Sequence, residues 1–135
     1  MRETERRWNL AGLDVTRLAL SYQVELSMWS RDRALTLVIE GPFEVVRPTG
    51  SSVTVTPGTP GTYEPLLSLL HQPVSDFVAR ENGSCELTFA SGTLLRVGPL
   101  DRYEAWNTYG EGSLQSAALL CGPGGGRPWG DAAQH

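Results

Sequence analysis

The chain has 135 residues, 40% of them hydrophobic and 19% charged, a balance that belongs to a globular protein with one core rather than to a disordered one. Its net charge is -4 and all eleven basic residues are arginines scattered along the sequence, which argues against the concentrated positive face of a nucleic-acid binder and favours a basic or cationic partner. No apolar run is long enough to span a bilayer, and the charged stretch Met1 to Arg7 is not followed by the apolar segment of a secretory signal, so a soluble, cytoplasmic protein is expected.

From Leu18 to Met28 apolar and polar residues alternate without a break. Leu18, Leu20, Tyr22, Val24, Leu26 and Met28 fall on one face, and Ala19, Ser21, Gln23, Glu25 and Ser27 on the other, which predicts one half-buried strand. The polar set Ser30 to Arg33 turns the chain into Ala34 to Glu40, where Leu35, Leu37 and Ile39 alternate again as the second arm of a hairpin. Gly41-Pro42 interrupts the ladder, since proline has no N–H to donate, and Phe43 to Val46 resumes as an edge or bent strand before a short strand at Val53 and Val55. Thr62 is placed to cap a helix of about two turns over Tyr63 to Leu70, with Pro65 in its first turn. Val74 to Arg80, the Asn82-Gly83 turn and Cys85 to Phe89 read as another hairpin, and Ser91-Gly92 turns into Thr93 to Val97. A last pair joins Tyr103 to Tyr109 with Leu114 to Cys121 through Gly110 to Ser113.

Val24 to Ile39 followed by Gly41-Pro42, and Cys85 to Val97 followed by Gly98-Pro99, share one pattern, a hairpin ending at Gly-Pro. Two such units can each cover the apolar face that the other leaves open. The expectation is a single domain over 1–135, mainly β. It is an antiparallel two-sheet sandwich or strongly curled sheet built from hairpins, with one short helix near 63–70 and flexible ends at 1–7 and 130–135.

The candidate site residues lie in the aromatics and the glycine-rich end. Trp29 falls on the polar side of its strand, and Trp106 shares parity with Glu104 and Thr108, opposite to Tyr103 and Tyr109. With those tyrosines toward the core, Trp106 stands outside and Trp129 is its natural cover. The run Cys121 to Trp129 is then either a clasp, the favoured reading, or part of a binding surface made of Trp29, Glu104, Trp106, Arg127 and Trp129. It lacks the Gly-Lys-Ser/Thr ending and following helix of a phosphate loop. Glu25, Glu86, Glu40, Glu44 and Glu104 could supply paired carboxylates, but solvated residues on outward strand faces, paired with Arg33, Arg80 or Arg96, are the simpler account. His71 and His135 are isolated, Cys85 and Cys121 lack metal-ligand spacing, and reduced buried thiols are favoured over a bridge; neither cofactor nor metal is expected.

Glu40-Gly41-Pro42-Phe43, Tyr103-Glu104-Ala105-Trp106 and the Cys121 to Trp129 run together make the chain similar to a family of small bacterial, largely actinobacterial, proteins known only as a domain of unknown function. The likeness spans Trp8 to Trp129. It implies a compact β-rich fold and supplies no reaction. The sequence points to a non-catalytic intracellular binding protein, most concretely an immunity-type protein that occludes a toxin or another protein partner. Neither nucleic acid nor membrane is expected as a partner, and a homodimer through a sheet edge or the aromatic face is compatible. A small-molecule-binding β module, with its pocket between the sheets or under Gly122 to Gly126, is the alternative, and an acid/base hydrolase using Glu25, Glu86 or Glu104 ranks last.

Overall fold

Alternation with a period of two gives each strand one apolar face to bury, and two antiparallel sheets satisfy that need against each other. In the computed structural model, which describes residues 4–130, the chain forms eleven strands. One sheet has the order β1 (Glu5–Asn9), β7 (Val74–Arg80), β8 (Cys85–Phe89), β9 (Leu94–Val97), β5 (Phe43–Val46), β6 (Ser52–Val55). The other has the order β11 (Leu120–Cys121), β10 (Trp106–Gly112), β4 (Arg33–Ile39), β3 (Val24–Trp29), β2 (Val15–Leu20). Val24, Leu26, Met28, Leu35, Leu37 and Ile39 from the five-stranded sheet share one core with Phe77, Leu87, Phe89, Leu95 and Val97 from the six-stranded sheet.

The two hairpins of like pattern, β3–β4 and β8–β9, fall in different sheets and do cover each other. Each Gly-Pro step is where the chain leaves one sheet for the other: Gly41-Pro42 leads from β4 to β5, and Gly98-Pro99 begins the return from β9 to β10. The two crossings touch. Glu40 N–H donates to the Ala105 carbonyl at 2.8 Å, and a Cβ on Gly41 would stand 2.7 Å from Leu100 Cδ1.

Four expectations change. The stretch Leu18 to Met28 is a hairpin rather than one strand: Leu20 pairs with Val24, and the chain reverses through Ser21, Tyr22 and Gln23. Both arms keep the same parity, so the sequence period alone does not mark the turn. The helix is a single turn, α1 (Glu64–Leu67), preceded by a 3-10 turn at Pro60–Thr62. Thr62 does not cap it; its hydroxyl instead accepts from Thr56 N–H at 2.9 Å and donates to the Thr59 carbonyl at 2.8 Å. Glu5 to Arg7, expected in a flexible arm, belong to β1, fixed in register by Glu5 opposite Arg80 and Arg7 opposite Val78. The last expected strand shrinks to two residues because Thr108, buried on β10, takes the loop before it by both its polar functions, donating to the Ala117 carbonyl and accepting from Leu119 N–H. Residues 1–3 and 131–135, which held the rest of the expected flexible ends and His135, lie outside the described residues.

Parity along β10 places Trp106 and Tyr109 on opposite faces, as the alternation requires, but with the sense reversed: Trp106 is fully buried and Tyr109 is exposed. An indole has more area to bury than a phenol, and here its N–H also finds a partner, donating to the Gly83 carbonyl at 2.9 Å, while Phe77 meets the ring edge-on with centroids 5.8 Å apart. Trp106→Phe keeps most of the burial and deletes that bond; it is expected to lower unfolding free energy by about 1–2 kcal/mol, against about 3–5 kcal/mol for Trp106→Ala, both read from urea midpoints at unchanged m.

Candidate functional site

The glycine run at the C-terminal end packs as a clasp on the β7–β8 turn, whereas the expected clasp was Trp129 folded over Trp106. Gly125 has φ +85°, and a Cβ there would meet the Asn82 carbonyl oxygen at 2.7 Å and Pro99 at 3.2 Å; Gly83, in the facing hairpin turn, has φ +97° and its Cβ would meet Gly125 Cα at 2.9 Å. Backbone thus lies against backbone at a distance only glycine permits. Gly124 N–H donates to the Leu100 carbonyl at 2.7 Å, and Leu120 N–H to the Pro128 carbonyl at 3.2 Å, which returns the chain alongside β11. Trp129 packs against the core, with the Arg6 guanidinium 4.8 Å from its ring centre. Trp106 is covered by Phe77 and the Gly83 turn.

Of the expected binding surface, Trp106 is removed by its burial. Arg127 and Trp129 sit half-buried in the clasp. Trp29 is exposed at the end of β3 on the outer face of its sheet, beside Ala34 at the start of β4, whereas Glu104 stands near Glu40, beyond the other end of β4. Six residues of strand, about 20 Å, separate those two ends. Of the carboxylates of the hydrolase reading, Glu25 and Glu86 do not converge, whereas Glu104 meets Glu40. Glu86 bonds Arg80 at 2.9 Å and lies 3.7 Å from Arg96 on the outer face of the six-stranded sheet, while Glu25 points out from the five-stranded sheet on the opposite side of the sandwich.

What does converge is a cleft of about 530 Å³ where the two sheet crossings meet the β2–β3 turn. Glu40 and Glu104 supply its acidic part, Leu100 an apolar wall, and Tyr22 and Tyr103 its aromatic walls; these are the two most exposed large hydrophobic side chains described, at 92% and 71%. The Tyr22 turn is fastened from below. Tyr63 Oη, buried beside α1, donates to the Ser21 carbonyl and accepts from Gly58 N–H at 2.7 Å, and Gly58 N–H also reaches the Ser21 carbonyl at 3.2 Å. Tyr22 lines a second, smaller hollow of about 330 Å³ with Leu20, Pro60 and Tyr63. Alternation assigned Tyr22 to the buried face, and the turn that turns it outward carries no glycine, proline or asparagine to announce it.

The Glu104 carboxyl is raised from its ordinary value, first by desolvation, then by the neighbouring Glu40 charge and by the hydrogen bond that its protonated form donates to the Glu40 carboxylate. Burial pushes the Cys85 thiol well up and the Cys121 thiol up, and neither is bridged. Among the described residues no group of three or more His, Cys, Asp or Glu side chains is placed to hold a metal, and no helix is long and apolar enough to cross a membrane.

A family model matches residues 7–130, from β1 to the end of the clasp. The chain belongs to DUF6188, a family of unknown function. No curated protein and no solved structure matches it. The matched span takes in both sheets, the clasp and the cleft, so each is a feature of the region that places the chain in DUF6188.

Two outcomes follow from this geometry. Gly126 shares a positive φ of +94° with nothing within 4 Å of an added Cβ, so Gly126→Ala should cost about 1 kcal/mol, and Gly125→Ala, which adds a backbone collision, about 3 kcal/mol in the same denaturant titration. For Glu104, a pKa raised on folding means that the folded state binds more protons than the unfolded one between the two values, so its contribution to stability falls as pH rises through that window. Glu104→Gln should remove this slope, so that the variant gains on the wild type as pH is raised through the carboxylate range; urea midpoints measured against pH read the difference.

Proposed function

We propose that this DUF6188 protein is a non-catalytic binding protein that uses the Tyr22–Tyr103 cleft to take a basic side chain of a protein partner. The observation that carries the reading is the meeting of two largely exposed tyrosines, from the β2–β3 turn and the β9–β10 crossing, over the carboxyl pair Glu40 and Glu104. Aromatic faces attract cations, and a carboxyl pair adds charge and acceptors for an arginine or lysine head group. Tyrosines presented on a fixed turn are also the side chains that most often anchor protein interfaces, because they add contact area at little conformational cost. The net charge of -4 supports a basic partner.

We place the protein in the cytoplasm and its partner among protein toxins, so that its role is that of an immunity protein whose acidic cleft covers a basic surface of the toxin. Small size, the acidic balance and the absence of an expected catalytic constellation in the sequence support that assignment over a metabolic one.

The test is affinity capture from the source cells with the wild type and with Tyr22→Ala/Tyr103→Ala, followed by calorimetry on the purified pair. The wild type should recover a basic protein that arrests growth when expressed alone and is neutralised by co-expression, and each single tyrosine variant should bind it at least about tenfold more weakly. Equal recovery by the double variant would remove the cleft from the account. Turnover of a metabolite by the purified protein with no partner recovered would remove the binding function.

A further inference from the structure

The outer faces of the two sheets differ in kind. On the six-stranded sheet the outward side chains include Arg7, Asp76, Arg80, Glu86 and Arg96, joined in ion pairs, with Arg7 to Asp76 at 2.8 Å and Arg80 to Glu86 at 2.9 Å. That is a solvated face. On the five-stranded sheet the outward positions carry Trp29, Tyr109 and Leu120, exposed at 59%, 59% and 51%, around a centre of small side chains, Ala19, Ser27, Ala34 and Thr36. The charged residues there, Arg17, Glu25 and Glu111, form no ion pair among the described residues. Beside Trp29 the face sinks into a hollow of about 590 Å³ lined by Arg17, Ser27, Ala34, Thr36 and Glu111.

We propose that this face joins two copies of the chain in a two-fold dimer, with Trp29 of each copy set against the β10 flank of the other and Arg17 of each facing the other's Glu111. Self-complementarity carries the choice of a second copy over another partner. Arg17 lies on β2 and Glu111 on β10, at opposite flanks of one face, with β4 central in the order β11-β10-β4-β3-β2. A two-fold axis along β4 turns β2 of one copy toward the β10–β11 flank of the other and β3 over β10. Opposite charges then meet at both rims by one operation, and the Trp29 ring of each copy lies against Tyr109 and Glu111 on β10 of its mate.

The area is that of a weak interface. The 28 strand residues of this sheet, at about 4.8 Å by about 3.3 Å each, give a footprint of about 440 Å² per copy, or about 900 Å² for the pair, just under the usual lower limit for a stable interface. A dissociation constant on the order of micromolar is therefore expected, with Trp29 as the main anchor. The dimer leaves the Tyr22–Tyr103 cleft free, since that lies past the far end of β4 and is bounded by the crossings rather than by the outer face.

Sedimentation velocity on the full chain, from about 1 μM to about 500 μM, tests the inference. The mass should climb from 14.7 kDa toward twice that value, Trp29→Arg should stay at 14.7 kDa throughout, and Glu111→Arg should weaken association at least tenfold. Arg17→Glu combined with Glu111→Arg should recover most of that loss, a rescue that a merely structural role for either residue does not produce. Tyr22→Ala/Tyr103→Ala should dimerise as the wild type does, which keeps this result separate from the fate of the cleft. A wild type that remains at 14.7 kDa over the whole range, a Trp29→Arg variant that associates normally, or a charge reversal no better than Glu111→Arg alone would each overturn the dimer.

Discussion

One hydrogen bond and the ring that makes it organise the junction of this sandwich. Trp106 belongs to the five-stranded sheet, but its indole N–H is satisfied by Gly83, in the turn between two strands of the six-stranded sheet. A buried indole left without an acceptor is costly, so the bond fixes how far the β7–β8 hairpin slides over the other sheet. Everything near that carbonyl is then constrained. The turn must accept Gly125 backbone at contact distance, Cys121 Sγ lies 3.3 Å from where a Gly83 Cβ would be, and side chains at either glycine would push the sheets apart. The glycine run is legible as a consequence of the tryptophan rather than as a site of its own.

The cleft follows from the second constraint, the change of sheet. A strand that leaves its ladder must release its backbone groups, and Gly-Pro does so twice, at points that end up side by side. Glu40 and Gly41 are held to Ala105 by backbone bonds, so the residues just before the first crossing and just before β10 sit together by construction. That is why Glu40 and Glu104, 64 positions apart in sequence, line one cleft. The carboxyl pair is a product of topology, which no spacing rule could have shown.

How much was legible in the sequence depends on what each signal measures. Alternation reports which side chains share a face, and it identified the inner residues of β3 and β4 and the two-sheet arrangement. It does not report direction of travel. A three-residue reversal at Ser21 to Gln23 preserves parity on both arms, so Tyr22 read as core when it is the most exposed aromatic described. For Tyr103, Trp106 and Tyr109, parity separated the faces and left their sense undetermined; the larger ring and its acceptor decided it, and Tyr103 lies outside the strand altogether. Glu104 and Trp29 were singled out as parts of one surface, and only the strand order shows that they stand beyond opposite ends of β4.

The short helical segment gains a purpose from the same geometry. With one turn of α-helix it adds little stability by itself, since isolated helices of that length do not form. What it does is bury Leu66 and Leu69 and so seat Tyr63, whose hydroxyl spans from Gly58 to Ser21. The β2–β3 turn is thereby tied at its base while its tip, Tyr22, remains in solvent. In the proposed binding role, a large aromatic held this way would lose less conformational entropy on docking than one on a loose loop. The buried tyrosine and the exposed one are thus two ends of a single device, one anchoring the turn in the fold and the other presenting it.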